Sequence, residues 1–473
     1  MSNLIIKPAR RLKGEIDLPG DKSISHRALL ISSLADGISV IDGLQEGEDC
    51  RSTYQALFSL GVEIRKEGSR IRVNGRGPAG FREAHQVIDC GNSGTTMRLL
   101  SGIAAGLPFT TRLTGDESLR NRPMRRVIEP LRQMGAKISV REVDFPPLAI
   151  IGGSLAGISY RTPMASAQVK SCLLLAGLLA EGNTTIIEPA MSRDHTERML
   201  AYFGAVLKIN TTPKYSATLL GSPVGARFIE PAGAINGAPT KISSPHRGED
   251  EGEGGNAISI LGGQRLSGRS LKIPGDFSAA AFFLAAAAIV PKSKISIRGV
   301  GLNPTRIAFL DILKKMGARI SIQNQREENG EPIGDITAKG GGELKGITVS
   351  GSLIPNLIDE IPILAVVALF AKGLTEVKDA GELRVKESDR IKAIVTELRK
   401  MGAGIEERED GFLISGPQRL KGAGVNSHFD HRIAMSLAVA GLAVEGETAI
   451  NNPECIAISF PDFVSTLLQI IKQ

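Results

Sequence analysis

The sequence predicts an α/β protein of two domains, each built from three copies of one strand-helix-strand-helix unit of about 70 residues. Two recurring patterns carry this reading. Polar or small residues opening an alanine-rich apolar helix, which then breaks before a β-branched strand, occur six times. A bulky apolar residue followed by glycine and then valine or alanine closes a further helix five times, at Leu60-Gly61-Val62, Met134-Gly135-Ala136, Phe203-Gly204-Ala205, Met316-Gly317-Ala318 and Met401-Gly402-Ala403. With 473 residues, 42% of them hydrophobic, the chain can fill two large cores, and six units divide as three plus three.

The first unit opens at 19–36. Pro19-Gly20 breaks the chain, Asp21 or Ser23 supplies a cap, and Ile24, Ala28, Ile31 and Ala35 recur at helical spacing. Its first turn holds Lys22, with Ser23 and Arg27 at i and i+4, at the helix end where cations are normally disfavoured. That placement suits a bound anion. The other five helices start at Asn92-Ser93-Gly94-Thr95, Met164-Ala165-Ser166-Ala167-Gln168, Asp276-Phe277-Ser278-Ala279, Ile358-Asp359-Glu360-Ile361 and Phe429-Asp430-His431-Arg432. Breaks at Gly37, Gly106, Gly182, Pro291, Gly373 and Gly446 lead into strands at 38–41, 109–113, 184–187, 295–297, 374–377 and 448–450. From Gly204 to Gly317 the glycine marks are 113 residues apart, against 74, 69 and 85 for the neighbouring intervals, which leaves about 40 extra residues. They are assigned to an excursion within 215–262. Its centre, 243–256, has no apolar periodicity to offset its ordering entropy, so disorder is expected there.

Composition narrows the partners. A net charge of +7 favours anionic ligands. The absence of tryptophan, aromatics at 4% and the lack of a basic run interleaved with stacking residues argue against nucleic acid. Cys50, Cys90, Cys172 and Cys455 are scattered without a paired motif, which suggests neither a zinc site nor a disulfide framework and points to a reducing cytoplasm. The longest apolar run, 279–290, is too short to span a bilayer, and residues 1–10 lack a signal-peptide core, so no membrane association is expected.

Three further stretches carry charge. In the turn-rich loop 114–124, Arg120 reads as a solvated loop arginine, whereas Arg122 is aimed by the proline that follows it. Ser166 and Gln168 are neutral donors at a helix start, and Ser192-Arg193-Asp194-His195 either caps the next helix or touches a ligand. In Arg384-Val385-Lys386-Glu387-Ser388-Asp389-Arg390, a helix from Lys386 onward puts Lys386, Glu387 and Arg390 on one face. That pattern fits a solvated helix face as well as a carboxylate held ionised between two cations.

Taken together these motifs resemble the 5-enolpyruvylshikimate-3-phosphate synthase family, enolpyruvyl transferases on the route to chorismate, and within it the second class. The resemblance runs essentially end to end through Gly20-Asp21-Lys22-Ser23 with Arg27, Gly91-Asn92-Ser93-Gly94-Thr95, Arg122-Pro123-Met124, Ser166-Ala167-Gln168, Asp359, the stretch 384–390, Asp430-His431-Arg432 and Phe460-Pro461-Asp462-Phe463. It implies two inverted α/β domains, each of three pseudo-repeats, closing over the substrates. Crossovers near Gly20 and Pro274 then divide the chain into 1–20 plus 274–473 and 21–273. It implies transfer of the enolpyruvyl group of phosphoenolpyruvate to the 5-hydroxyl of shikimate 3-phosphate, with no metal or cofactor, by a monomer. By resemblance, Lys22, Ser23, Arg27, Ser166, Gln168, Asp359 and Lys386 bind shikimate 3-phosphate. Lys22, Gly94, Arg122, Gln168, Arg390 and Arg432 bind phosphoenolpyruvate. Asp359, Glu387 and Lys22 are the catalytic residues. A methyl at Gly94 is expected to crowd the herbicide glyphosate at the phosphoenolpyruvate site.

One position departs from the pattern. Many family members carry a lysine just before the Phe-Pro segment near the C-terminus, where this chain has Ala457-Ile458-Ser459. The rival within the fold, UDP-N-acetylglucosamine enolpyruvyl transferase, uses a Lys-Asn pair and a loop cysteine. Here the pair is Lys22-Ser23, and 114–124 holds no cysteine. A non-catalytic phosphate-ligand or RNA-binding repeat protein is the other alternative, and it would gain nothing from carboxylates at the site.

Overall fold

Five of the six expected inner helices begin where a capping residue dictates in the computed structural model, which describes residues 3–142, 144–210, 227–229 and 256–472. Asp21 caps Lys22–Leu34, Ser93 caps Gly94–Ala105, Ser166 caps Ala167–Leu179, Asp276 caps Phe277–Ile289 and Asp430 caps His431–Gly441, each through a side-chain oxygen that accepts from a first-turn amide. Ile361–Ala368 follows Glu360, whose carboxylate is used elsewhere. These helices form the inner layers. Every residue of Phe277–Ile289 is buried, and its alanines let Ile361–Ala368 and His431–Gly441 pack closely against it. The five glycine marks all have positive φ, from +81° to +106°, which a residue with a side chain adopts only at a cost.

Among the described residues, six sheets back these helices. In the second unit, Ile88–Asp89 lies parallel to Thr110–Thr114 across the inner helix, and a hairpin of Lys137–Arg141 and Phe145–Ile151 completes the sheet. The sequence reading stops one strand short in each such unit. The second hairpin strand takes an inner place beside the strand that follows the inner helix, but one of its faces is wet, so that Arg70–Arg76 alternates arginine and apolar residues and reads as polar.

The first and fourth units exchange strands. Arg11–Ile16 precedes the Lys22 helix in sequence but pairs parallel with Lys294–Gly301, the strand after the Phe277 helix. Leu266–Ser267 and Ser270–Lys272 precede the Phe277 helix and pair with Ala35–Asp42 instead. The two crossing segments meet at an antiparallel bridge between Gly20 and Gly275, where Asp21 N donates to Pro274 O at 2.8 Å and Asp276 N donates to Pro19 O at 3.0 Å. Gly20 is required there, because a Cβ would fall 2.0 Å from the Gly43 carbonyl oxygen. Buried apolar side chains form one cluster drawn from 24–273 and a second from 6–16 and 277–470. The architecture is two α/β domains of three repeats, related as the fold class expected. Among the described residues no single helix is long and apolar enough to cross a membrane.

The expected excursion needs a narrower boundary. Its centre lies outside the described residues except for Asn256, which opens the strand Asn256–Leu261. That strand sits between Asn183–Glu188 and Leu207–Asn210, with Ile258 and Ile260 buried in the core. A run of only six residues after a glycine-rich stretch gave the sequence reading too little periodicity to recognise it. Replacing 230–254 by a short Gly-Ser connection spares every described strand pairing and is expected to shift Tm by no more than about 4 °C. Extending the deletion through Leu261 removes a central strand and is expected to yield no cooperative unfolding transition by circular dichroism.

Candidate active site

The twelve residues singled out from the sequence, Lys22, Ser23, Arg27, Gly94, Arg122, Ser166, Gln168, Asp359, Lys386, Glu387, Arg390 and Arg432, all line one cleft between the two halves. Most stand at or within a few residues of inner-helix starts, so helix dipoles and side-chain cations add to a positive field. Arg120, read as a solvated arginine, is exposed.

On the 21–273 side, Lys22 Nζ pairs with Asp49 Oδ2 at 2.9 Å. Burial pulls the Lys22 pKa down, but Asp49 and Glu387 outweigh it and leave it raised, so the amine is charged at neutral pH. Arg27 is buried and spans Thr196 Oγ1 at 2.7 Å, Ser23 O at 2.8 Å and Ser171 Oγ at 2.7 Å. Arg122 is held by Asn92 Oδ1 at 2.7 Å and Ser118 Oγ at 2.9 Å, which fixes its aim more firmly than the adjoining proline does. Gln168 accepts from Arg98 Nη1 at 2.6 Å and donates to Thr95 Oγ1 at 3.0 Å.

The 274–473 side supplies the carboxylates. Asp359 lies 3.2 Å from Arg390 Nη1 and 3.5 Å from Arg432 Nε, and Glu387 lies 2.6 Å from Arg390 Nη2. Burial alone would raise both pKa values, yet the surrounding arginines hold both well below the usual carboxylate range. Arg390 itself is only 1% exposed and is anchored by Asp430 at 2.8 Å. The helix expected from Lys386 onward begins later. Gly381–Val385 is a 3₁₀ turn, Lys386 has φ −84° and ψ −149°, and the helix is Arg390–Lys400, capped by Asp389. Asp389 prefers to cap rather than continue a helix, and this leaves Lys386 pointing to Glu382 at 2.8 Å instead of sharing a face with Glu387. The Glu387–Arg390 pairing survives because the chain still brings the two side chains together.

Several contributors escaped the sequence reading. Asp49, Arg98, Arg126, Arg306 and Glu382 line the same cleft. Arg98 lies one turn beyond Gly94, Arg126 one turn beyond Arg122, and Glu382 four residues before Lys386, so spacing from recognised residues was the available signal. Ion pairs bridge the halves at the cleft, among them Arg193 Nη2 to Asp359 Oδ2 at 2.5 Å, Arg126 Nη1 to Glu382 Oε1 at 3.1 Å, and Arg122 Nη1 to Glu387 Oε1 at 3.9 Å. At the crossover, buried Arg306 bonds Glu360 and Ser278 and lies 3.6 Å from Asp276 and 4.0 Å from Asp21. Of the Ser192–His195 stretch, Ser192 and Arg193 face the cleft. Asp194 and His195 join the halves instead, through Asn303 at 2.7 Å and Glu331 at 2.8 Å respectively.

At the departure before the Phe-Pro segment, Ser459 O accepts from Gln45 Nε2 at 2.5 Å. The four cysteines are buried and unpaired, and burial pushes their thiols up. Among the described residues no group of three His, Cys, Asp or Glu side chains is placed to hold a metal ion.

Comparison with known proteins agrees with this arrangement. Residues 6–227 and 249–467 match the family described as EPSP synthase (3-phosphoshikimate 1-carboxyvinyltransferase). The chain is 51% identical over 472 residues to the 3-phosphoshikimate 1-carboxyvinyltransferase of Thermodesulfovibrio yellowstonii, covering 99% of this chain and 100% of that one. It is 49% identical over 472 residues to the Synechococcus sp. enzyme of the same name, covering 99% and 97%. A solved EPSP synthase from Acinetobacter baumannii superposes with a TM-score of 0.79 at 40% identity, covering 99% of this chain and 98% of that one. With the sequence motifs, the strand-exchanged two-domain fold and end-to-end similarity in agreement, the chain belongs to the EPSP synthase (3-phosphoshikimate 1-carboxyvinyltransferase) family.

Proposed function

We propose that the protein transfers the enolpyruvyl group of phosphoenolpyruvate to the 5-hydroxyl of shikimate 3-phosphate and releases phosphate. The observation that carries this reading is the meeting, in one cleft, of cations from both halves with two carboxylates, Asp359 and Glu387, that those cations hold ionised. Two anionic substrates account for the excess of cations, and the carboxylates account for proton movement. In this reading Ser23, Arg27, Ser166, Gln168 and Lys386 hold shikimate 3-phosphate. Gly94, Arg122, Arg390 and Arg432 hold phosphoenolpyruvate, and Lys22 and Gln168 reach both.

The chemistry follows from an exchange of partners. Pinned by Arg193, Arg390 and Arg432, Asp359 is a weak base. Phosphoenolpyruvate draws Arg390 and Arg432 onto its own oxygens, which removes two of those cations and raises the basicity of Asp359 as the substrate arrives. Asp359 then takes the 5-hydroxyl proton while that oxygen bonds to C2 of phosphoenolpyruvate. Lys22, charged at neutral pH, is the better supplied donor for the methylene carbon. As the C–O bond to phosphate breaks, Glu387 removes a proton from the new methyl group and restores the double bond. The halves 21–273 and 1–20 plus 274–473 act as jaws, and the bridging pairs Arg193–Asp359 and Arg126–Glu382 support closure. In this reading the protein is a cytoplasmic monomer of 50.1 kDa, and its four buried, unpaired cysteines fit a reducing compartment. A cysteine-dependent relative is disfavoured, because all four cysteines are buried and none lies in 114–124.

The deciding assay is inorganic phosphate release from phosphoenolpyruvate with shikimate 3-phosphate as the only acceptor. Release is expected, and its absence, or salt-sensitive RNA binding in its place, would overturn the reading. Asp359→Asn is expected to lower kcat at least about a hundredfold while shikimate 3-phosphate still binds by calorimetry. A turnover within a few-fold of the unmodified enzyme would remove Asp359 from its role.

Glu382 gives a pH prediction. Burial raises its pKa, but Lys386 and Arg126 outweigh that and lower it from 4.5 to about 2. Because the folded value is depressed, the group stabilises the folded state above pH 4.5 and that contribution is lost as pH falls towards 2. Glu382→Gln is therefore expected to be less stable by about 1–3 kcal/mol at pH 7, with the gap closing on acidification. Urea unfolding at several pH values measures this.

A further inference from the structure

Arg98 belongs to the cleft, yet its charge is compensated only at a distance, by Glu382 and Glu387. It is 5% exposed, its Nε has no hydrogen-bond partner, and among the described residues no carboxylate pairs with it. Burial, followed by repulsion from Arg126 and Arg122, lowers its pKa to about 9. A buried guanidinium without a paired counter-ion costs stability, and a residue kept only for packing would be apolar at this position. Two contacts indicate what it does instead.

The first is with Gln168. Arginine is purely a donor, so its Nη1, 2.6 Å from Gln168, obliges the amide to turn its oxygen that way. The amide nitrogen is then free to donate, one hydrogen going to Thr95 Oγ1 at 3.0 Å and the other remaining for a ligand. Arg98 thereby makes Gln168 a donor towards anions, where a turned amide would present a repelling oxygen. The second contact is with position 94. A Cβ on Gly94 would lie 2.9 Å from Arg98 Nη1, inside contact distance, and 3.6 Å from Arg122 Nη1, an ordinary contact. The expectation that a methyl at 94 would crowd a ligand therefore meets a nearer obstacle in the protein itself.

We propose that Arg98 is a specificity-determining residue of the enolpyruvyl-donor site, transmitting the size of the side chain at position 94 to the orientation of the Gln168 amide. A methyl at 94 displaces the guanidinium, the Arg98–Gln168 bond breaks, and the amide no longer holds its donor towards the substrate. Donor binding weakens with no need for contact between the methyl and the donor. The inference rests on the donor-site reading above.

A double-mutant cycle tests it, using Gly94→Ala, Arg98→Met and the two combined, with KM for each substrate and kcat measured by phosphate release. Arg98→Met keeps the volume and removes an unpaired buried charge, so the variant is expected to fold; Arg98→Gln, which can still bond Gln168, is the second variant. Gly94→Ala is expected to raise KM for phosphoenolpyruvate at least about fivefold, with KM for shikimate 3-phosphate moving less than about twofold. Arg98→Met is expected to do the same, and adding Gly94→Ala to it should change KM for phosphoenolpyruvate by less than about twofold. Arg98→Gln should retain more of the donor affinity than Arg98→Met. Multiplicative effects in the cycle would show that the methyl acts on the donor directly and would overturn the proposal while leaving the enzyme's activity assigned. An unmodified enzyme that releases no phosphate would instead overturn the underlying functional reading, and this proposal with it.

Discussion

The structure depends on how a cleft crowded with cations is partly compensated by its own carboxylates. Arg390, almost wholly buried, is the clearest case: its guanidinium is divided among Asp430, Glu387 and Asp359. Asp430 is a permanent anchor, since it also caps the helix that carries Arg432. The other two carboxylates are buried less tightly and face the cleft. The same arginines that suit substrate anions are thus occupied by internal carboxylates, and exchanging one partner for the other alters the basicity of the groups released. In the proposed reaction, binding and activation of the base are therefore one event.

That arrangement requires helix starts from two domains to face each other, and the strand exchange provides for it. Because Arg11–Ile16 is built into one domain and Ser270–Lys272 into the other, the chain must cross twice at one place. The caps of the first and fourth helices, Asp21 and Asp276, are brought side by side at the crossing, where they share Arg306. Each carboxylate pays for its burial by satisfying amides of its own helix start, and one cation offsets their mutual repulsion. The crossover is thus also the point that orients Lys22, whose backbone amide donates to Asp276 Oδ2 across it at 3.0 Å.

The ion pairs bridging the two halves differ in kind. Arg193–Asp359 and Arg122–Glu387 join residues with proposed roles in binding or proton transfer, so substrate must compete with them. Arg126–Glu382 and the Asp194–Asn303 and His195–Glu331 contacts involve groups without such roles, and they join the halves apart from the proposed substrate ligands. In the proposed reading, closure exchanges the first kind against a background set by the second.

The sequence by itself determined the local features: the six helix starts, the glycines that end the second helices, the two-domain count, and a set of site residues that proved to share one cleft. These are legible because caps, positive-φ glycines and anion-binding helix termini are written within a few residues of chain, where propensity and geometry act directly. Tertiary structure decided the rest. The wet-faced hairpin strands and the buried strand Asn256–Leu261 at the end of the long insertion depend on which neighbours cover which face. Asp49, Arg98, Arg126 and Glu382 acquire meaning only from partners as far away as the 256 residues that separate Arg126 from Glu382. A side chain's charge can be read from sequence, but what compensates it is settled by packing, because burial makes the partner, and not the residue type, decide the energy.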